Sequence, residues 1–200
     1  MSDSQASPWR GRAIMIIVVL LFAVPPVVAW MMLTGGWRPG GTVNHGELIR
    51  PPEQLSGESW LSQLPEDYFA GRWTLLHAVA GDCDDGCTAL LDKSGRVRVA
   101  LDKDAARVQR LLLLAEGAAP VAESGVRGAR VVRADRATIR GLLPAGERHG
   151  LSVVDPQGFR MMRYGMPLQA KGLLEDLERL LRLSNEDIER FQRSEAIDDS

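Results

Sequence analysis

The chain has 200 residues, a formal net charge of -2 and 45% hydrophobic residues, which exclude a collagen, a coiled coil and a disordered polyelectrolyte. The balance of 24 Lys and Arg against 26 Asp and Glu offers no electrostatic footprint for wrapping nucleic acid, so no nucleic-acid partner is expected. Two cysteines cannot build a disulfide framework; they lie within five residues of each other, as a local dithiol.

After a short tail, residues 1–12, the run from Ala13 to Leu33 holds 21 consecutive residues without a charge. As a helix it is about 30 Å long, the thickness of a bilayer's hydrocarbon core. Pro25 and Pro26 near its middle remove backbone donors and favour a kink. A cleaved signal peptide is the alternative, but the run exceeds a signal core and ends Trp30-Met-Met-Leu33 rather than in a small-x-small site. Arg10 and Arg12 precede the span, whereas the first basic residue after it is Arg38, so the positive-inside rule keeps the tail in the cytoplasm. The chain thus reads as a single-pass protein of a bacterial inner membrane, in contact with lipid through residues 13–33 and with its remaining residues in the periplasm. Trp30 and Trp37 bracket the exit as interfacial aromatics do.

Residues 34–58, rich in Gly and Pro, read as an irregular tether, and residues 59–184 as the folded domain. Trp73-Thr-Leu-Leu-His-Ala-Val-Ala80 is an apolar run between Gly71 and Gly81, suited to a strand covered on both faces. Residues 87–103 carry Leu90, Leu91, Val97 and Leu101 at near-helical spacing, and Val108–Leu114 is a second apolar run. Strand, helix and strand in this order make a parallel pair with a right-handed crossover. Arg130–Arg133 reads as a further strand and Arg136–Leu143 as a short helix. Leu151–Tyr164 places Asp155, Pro156 and Gly158 in a type I turn between two β-prone runs, a hairpin. Lys171–Leu183 aligns Leu173, Leu174, Leu177, Leu180 and Leu181 on one stripe, with Glu175–Arg179 and Glu178–Arg182 as i,i+4 pairs. Residues 185–200 form an acidic tail, continuing as a frayed helix or a disordered end.

Cys83-Asp-Asp-Gly-Cys87 falls where a buried strand hands over to a helix, a junction that presents N–H groups and a positive dipole end to the sulfurs. Four-residue spacing brings both sulfurs to one side of a first helical turn, where they can share a soft cation or close a disulfide. Asp84 and Asp85 oppose thiolate formation and favour a bound cation. Three readings stay open: a metal site, a redox pair, and a structural or idle pair at a helix start.

These residues resemble the thioredoxin-fold Sco/SenC copper-insertion proteins of cytochrome c oxidase assembly over about residues 45–183. The matching pieces are Gly71-Arg-Trp-Thr-Leu-Leu76, Cys83-x-Asp85-x-Cys87, Val154-Asp-Pro-x-Gly158 and the closing Leu-rich helix. Within that group, Asn44-His-Gly-Glu-Leu-Ile49 and Leu180-Leu-Arg-Leu-Ser184 look most like small membrane proteins found with proteobacterial oxidase genes. The resemblance implies an α/β, thioredoxin-like fold, a central mixed sheet with flanking helices. It further implies copper held by Cys83 and Cys87, and an oxidase subunit or another assembly factor as partner.

Copper-binding members take their third ligand from an Asp-His pair about eight residues before the Asp of the turn. Here His149 stands six residues before Asp155 and follows Arg148, which marks a divergent branch and moves the side chain about 6.6 Å along a regular strand. His149 is therefore carried as the candidate third ligand on the condition that a loop recovers this distance. His77 reads as a core histidine, His45 as part of the tether, and Met161 and Met162 as hairpin residues. The leading expectation is a copper-binding accessory protein rather than an enzyme. The alternatives are a thiol:disulfide oxidoreductase that reduces oxidase copper-site cysteines through Cys83 and Cys87, and a scaffold with a vestigial dithiol.

Overall fold

The computed structural model describes residues 8–34, 44–122 and 126–198, and divides the chain into two units, residues 1–43 and 44–200. In the first, helix α1 spans Pro8–Thr34 and continues through Pro25 and Pro26. Its Gly11–Met32 stretch, with a mean hydropathy of 2.7, is long and apolar enough to cross a membrane. The N-terminal end of the tail and the 35–43 part of the tether, including Trp37 and Arg38, lie outside the described residues.

The second unit is built on one sheet of six strands: β1 (Glu47–Gln54), β2 (Trp73–Val79), β3 (Val108–Ala115), β4 (Ala129–Ala134), β5 (His149–Val154) and β6 (Phe159–Tyr164), in the order β1-β6-β5-β2-β3-β4. β2 and β3 pair in parallel, as do β3 and β4, whereas β5 runs antiparallel to β2 and β6 antiparallel to β5. Helix α2 (Asp85–Ala100) makes the crossover from β2 to β3, α3 (Arg136–Leu142) follows β4, and α4 (Ala170–Asp198) closes the chain. The expected mixed sheet with flanking helices is observed.

β2 lies at the centre of the sheet and every one of its residues is buried. Its side chains alternate between two cores: Trp73 and Leu75 pack with Leu90 and Val97 of α2 and Leu173 and Leu177 of α4, while Leu76 and Ala78 join Ile139 of α3 and Trp60. The helices therefore cover both faces, and each fully buried leucine contributes about 2 kcal/mol of apolar transfer.

Three boundaries differ from the sequence reading. Residues 47–54, read as tether, form β1, and the folded unit begins at Asn44. Pro51 and Pro52 are tolerated because β1 is an edge strand that skips register between Leu48 and Glu53. Its two paired ends are held by charges directly across from each other: Arg163 Nε and Nη2 donate to Glu47 at 2.9 and 2.7 Å, and the buried Arg160 pairs with Glu53. Helix α2 starts two residues earlier than expected and stops at Ala100, because Asp102 takes a left-handed conformation (φ 48°) and the chain tightens into a 3-10 turn over Asp102–Arg107. Helix α4 starts at Ala170 and runs on to Asp198, the helical of the two continuations expected beyond Ser184.

The hairpin forms as read. Asp155 Oδ1 accepts from Gln157 N–H (2.9 Å) and Phe159 N–H (2.8 Å), and Gly158 supplies the positive φ of 87° that closes the turn.

Candidate functional site

Strand β2 ends at Val79, and the chain then turns through Gly81 and Asp82 into Cys83 at the same edge of the sheet where β5 begins. Asp84 is the N-cap of α2. Its carboxylate accepts the Cys87 N–H at 3.0 Å, which satisfies a donor of the first helical turn and contributes about 1 kcal/mol to helix stability. That hydrogen bond, with the neighbouring His149 and Arg148, holds the Asp84 carboxyl below the ordinary carboxylate range. Asp85 occupies the first turn, where its charge complements the helix dipole.

The cap sets the two cysteines 5.2 Å apart at their Cα atoms, and they are joined as a disulfide. The two sulfur environments differ: the Cys87 residue is fully buried against Leu91 and the core, whereas Cys83 is partly open and lies 3.9 Å from the Thr88 hydroxyl. A reagent arriving from solvent meets Cys83 first.

His149 is the first residue of β5, paired with Val79 at the end of β2. The residues from His149 to Val154 are all in strand β5, so no loop between His149 and Asp155 recovers the offset of about 6.6 Å from the family position. Its side chain is 15% exposed, with Nδ1 3.7 Å from Asp84 Oδ1. The imidazole rests on Gly86, in the middle of the cysteine loop: a Cβ built on that glycine would be 2.9 Å from His149 Cε1 and 3.1 Å from Nε2. Gly86 is thus required by a close approach rather than by a turn, and the His149 ring lies against the loop that carries Cys83 and Cys87.

The other candidate residues are elsewhere. His77 is fully buried on β2, with Nε2 2.7 Å from Ser94 Oγ and Nδ1 3.3 Å from the Leu111 carbonyl. His45 does not belong to a loose tether. Its N–H donates to Asp176 and its ring contacts Glu175 at 2.7 Å, because Gly172 leaves room for it against α4. Met161 and Met162 lie on β6, with Met162 in the core beneath α4.

Sequence reasoning passed over two features that border the loop. A groove of about 380 Å³ runs from Gly86 and His149 to Met166 and Leu168. On the other side, a cleft of about 640 Å³ is walled by Gly81, Asp82, Arg136, Arg140 and Arg148. Both assemble from segments far apart in the chain, and no local pattern marks them.

Among the described residues, no group of three or more His, Cys, Asp or Glu side chains is arranged to hold a metal. Reduction of the disulfide gives two thiols, which on losing their protons are soft donors that suit Cu(I).

Comparison with known proteins agrees with this architecture. The apo Sco1 protein from Thermus thermophilus superposes with a TM-score of 0.50 at 19% identity, covering 68% of this chain and 96% of that one. Copper-bound yeast Sco1 matches at a TM-score of 0.46 and 14% identity (70% and 89% covered), and the thioredoxin domain of a thiol-disulfide oxidoreductase from Bacteroides vulgatus at 0.43 and 15% (70% and 97%). No curated protein matches the sequence. The likeness to the Thermus protein establishes a thioredoxin-like fold. A family profile matches residues 73–184, more than half of the chain and all of the sheet except β1. On that match, the chain belongs to the family described as the transmembrane-like, thioredoxin-like, C-terminal domain.

Proposed function

We propose that this chain is a membrane-anchored accessory protein of cytochrome c oxidase assembly in a bacterial inner membrane, which holds Cu(I) for delivery through Cys83, Cys87 and His149. The anchor is the apolar run of residues 13–33, with the N-terminus in the cytoplasm and the thioredoxin-like domain in the periplasm. The observation that carries the reading is the seating of His149 on Gly86, within the loop that holds the two sulfurs. Two electrons and two protons from a donor dithiol open the Cys83–Cys87 bond, and Cu(I) then displaces the thiol protons. Three soft or borderline ligands at a partly open site hold copper firmly enough to carry it and release it to a partner with more donors.

The test is anaerobic titration of the reduced full chain in detergent with Cu(I) against a chromophoric chelator. Wild type is expected to bind one equivalent, Cys83→Ser none under competition, and His149→Ala one equivalent with affinity lowered by at least the ~10-fold typical of losing even an outer-shell partner. Binding that survives both Cys83→Ser and Cys87→Ser overturns the reading.

A second reading, a thiol:disulfide reductase acting on the copper-site cysteines of an oxidase subunit, is favoured by the unequal exposure of the two sulfurs. Cys83 would attack the partner's disulfide, and the buried Cys87 would resolve the mixed disulfide, leaving the partner reduced and this pair oxidised. Under it, Cys87→Ser accumulates a stable mixed disulfide through Cys83 with an oxidase-derived peptide disulfide, and the wild-type couple equilibrates with glutathione as a two-electron step. Absence of any mixed disulfide rules the reductase out.

A further inference from the structure

The cleft beside Cys83 is built from three guanidinium groups. Arg136 and Arg140 project from one face of α3 at i and i+4, and Arg148 arrives from the loop before β5, with its Nη2 3.9 Å from a Cβ placed on Gly81. Like charges at this spacing on a helix repel by roughly 0.2–0.5 kcal/mol, and both arginines are exposed. Neither is paired with a carboxylate among the described residues. The acids nearby offset part of this charge: Asp82 and Glu147 line the wall and Asp84 pairs with Arg148, which leaves Arg136 and Arg140 to meet a ligand. Asp82 turns its Oδ1 to the Ala119 N–H at 2.8 Å, and Asp84 is engaged by the Cys87 N–H and by Arg148 at 3.5 Å. Glu147 is the remaining carboxylate of the wall.

A volume of about 640 Å³ is far more than one inorganic anion fills and suits several residues of an extended peptide. The shape is concave and its wall leads directly through Asp82 into Cys83, the accessible sulfur of the pair. A lipid surface would instead meet basic side chains on a flat or convex face. We infer that this cleft binds an acidic segment of the partner protein and so presents the partner's cysteine to Cys83. The inference rests on the second reading of the site, in which Cys83 is the reacting sulfur. Planar guanidinium groups match carboxylates through paired hydrogen bonds, so Arg136 and Arg140 attract an acidic segment and raise its encounter rate.

The test uses the full chain in detergent, in its disulfide form, with two single-cysteine peptides of matched length, one carrying four glutamates and one carrying serines in their place. The peptide thiolate bonds to Cys83 Sγ, the Cys83–Cys87 bond breaks, and the electron pair leaves on the Cys87 sulfur, which takes up a proton; the initial rate of mixed-disulfide formation is measured. At low ionic strength the ratio of acidic to neutral rates is expected to fall about tenfold from wild type to Arg136→Gln/Arg140→Gln, with the neutral rate unchanged and the difference erased by salt.

A ratio that is the same in both proteins overturns the inference while leaving the dithiol reading intact. So does loss of binding to phosphatidylglycerol vesicles in the variant with no change in the ratio, which would assign the arginines to lipid. A neutral rate that falls as much as the acidic one shows the arginines act on the disulfide or the fold, and also overturns it. If neither peptide opens the bridge in wild type, Cys83 is not the reacting sulfur, and the reductase reading fails together with the cleft.

Discussion

His77 shows how one buried side chain can give the domain a pH dependence that its function does not use. Burial, then the nearby Arg110 charge, push its pKa down to about 3, so the imidazole is neutral in the folded protein. In the unfolded chain it titrates near the ordinary value of about 6.5. Between those values the unfolded state binds more protons, so stability rises with pH through this window and falls as pH drops below the unfolded value. At pH 5 the loss from this residue alone is about 2 kcal/mol. His77→Gln, which keeps polar groups facing Ser94 Oγ and the Leu111 carbonyl, should lower stability at neutral pH and yet flatten the decline between pH 7 and pH 5 by that amount. Urea midpoints of wild type and variant at the two pH values decide it. An equal decline in both proteins would show that His77 is not the titrating group.

At the scale of elements, legibility in the sequence followed the strength of the local signal. β2, β3 and the β5–β6 hairpin were readable because continuous apolar runs and Asp155-Pro-x-Gly158 have few other structural solutions. β1 was not, since Arg50-Pro-Pro52 argues against any strand paired on both sides; only the sheet order shows that β1 is an edge, where missing donors cost nothing. The end of α2 was hidden for a related reason: a left-handed stop is ordinarily announced by glycine, and here Asp102 provides it. In the site, the cysteines and the helix start were legible, because strand, C-x-x-x-C and helix are contiguous. The contact between Gly86 and His149 was not, because it joins positions 63 residues apart through the pairing of β2 with β5. The arginine cleft draws on residues near 81, 138 and 148 and shares that cause.

At the scale of the whole molecule, the folded unit is fastened at its beginning by its last helix. Asp176 of α4 is 1% exposed and accepts the N–H groups of His45 (2.9 Å to Oδ2) and Gly46 (2.9 Å) together with the Tyr164 hydroxyl (2.9 Å). Gly46 packs so closely on the Tyr164 ring that a Cβ there would lie 2.8 Å from Cζ, and the phenol's pKa is raised by burial and then by the Asp176 charge. Three donors converge on one carboxylate, so replacing it leaves buried N–H groups without a full acceptor, at a cost of about 1–3 kcal/mol each. β1 depends on this anchorage, because it touches the rest of the sheet only through β6, whereas β2 is secured on both sides by β3 and β5. Asp176→Asn is therefore expected to open residues 44–54 locally. Amide hydrogen exchange there should accelerate by about tenfold or more, since each ~1.4 kcal/mol of local opening energy is a factor of ten. Protection of β2 and β3 and the accessibility of Cys83 should stay at wild-type values. Uniform acceleration across all six strands would mean instead that Asp176 holds the entire domain, and unchanged exchange over residues 44–54 would mean that the cross-strand pairs Glu47–Arg163 and Glu53–Arg160 suffice to keep β1 in place.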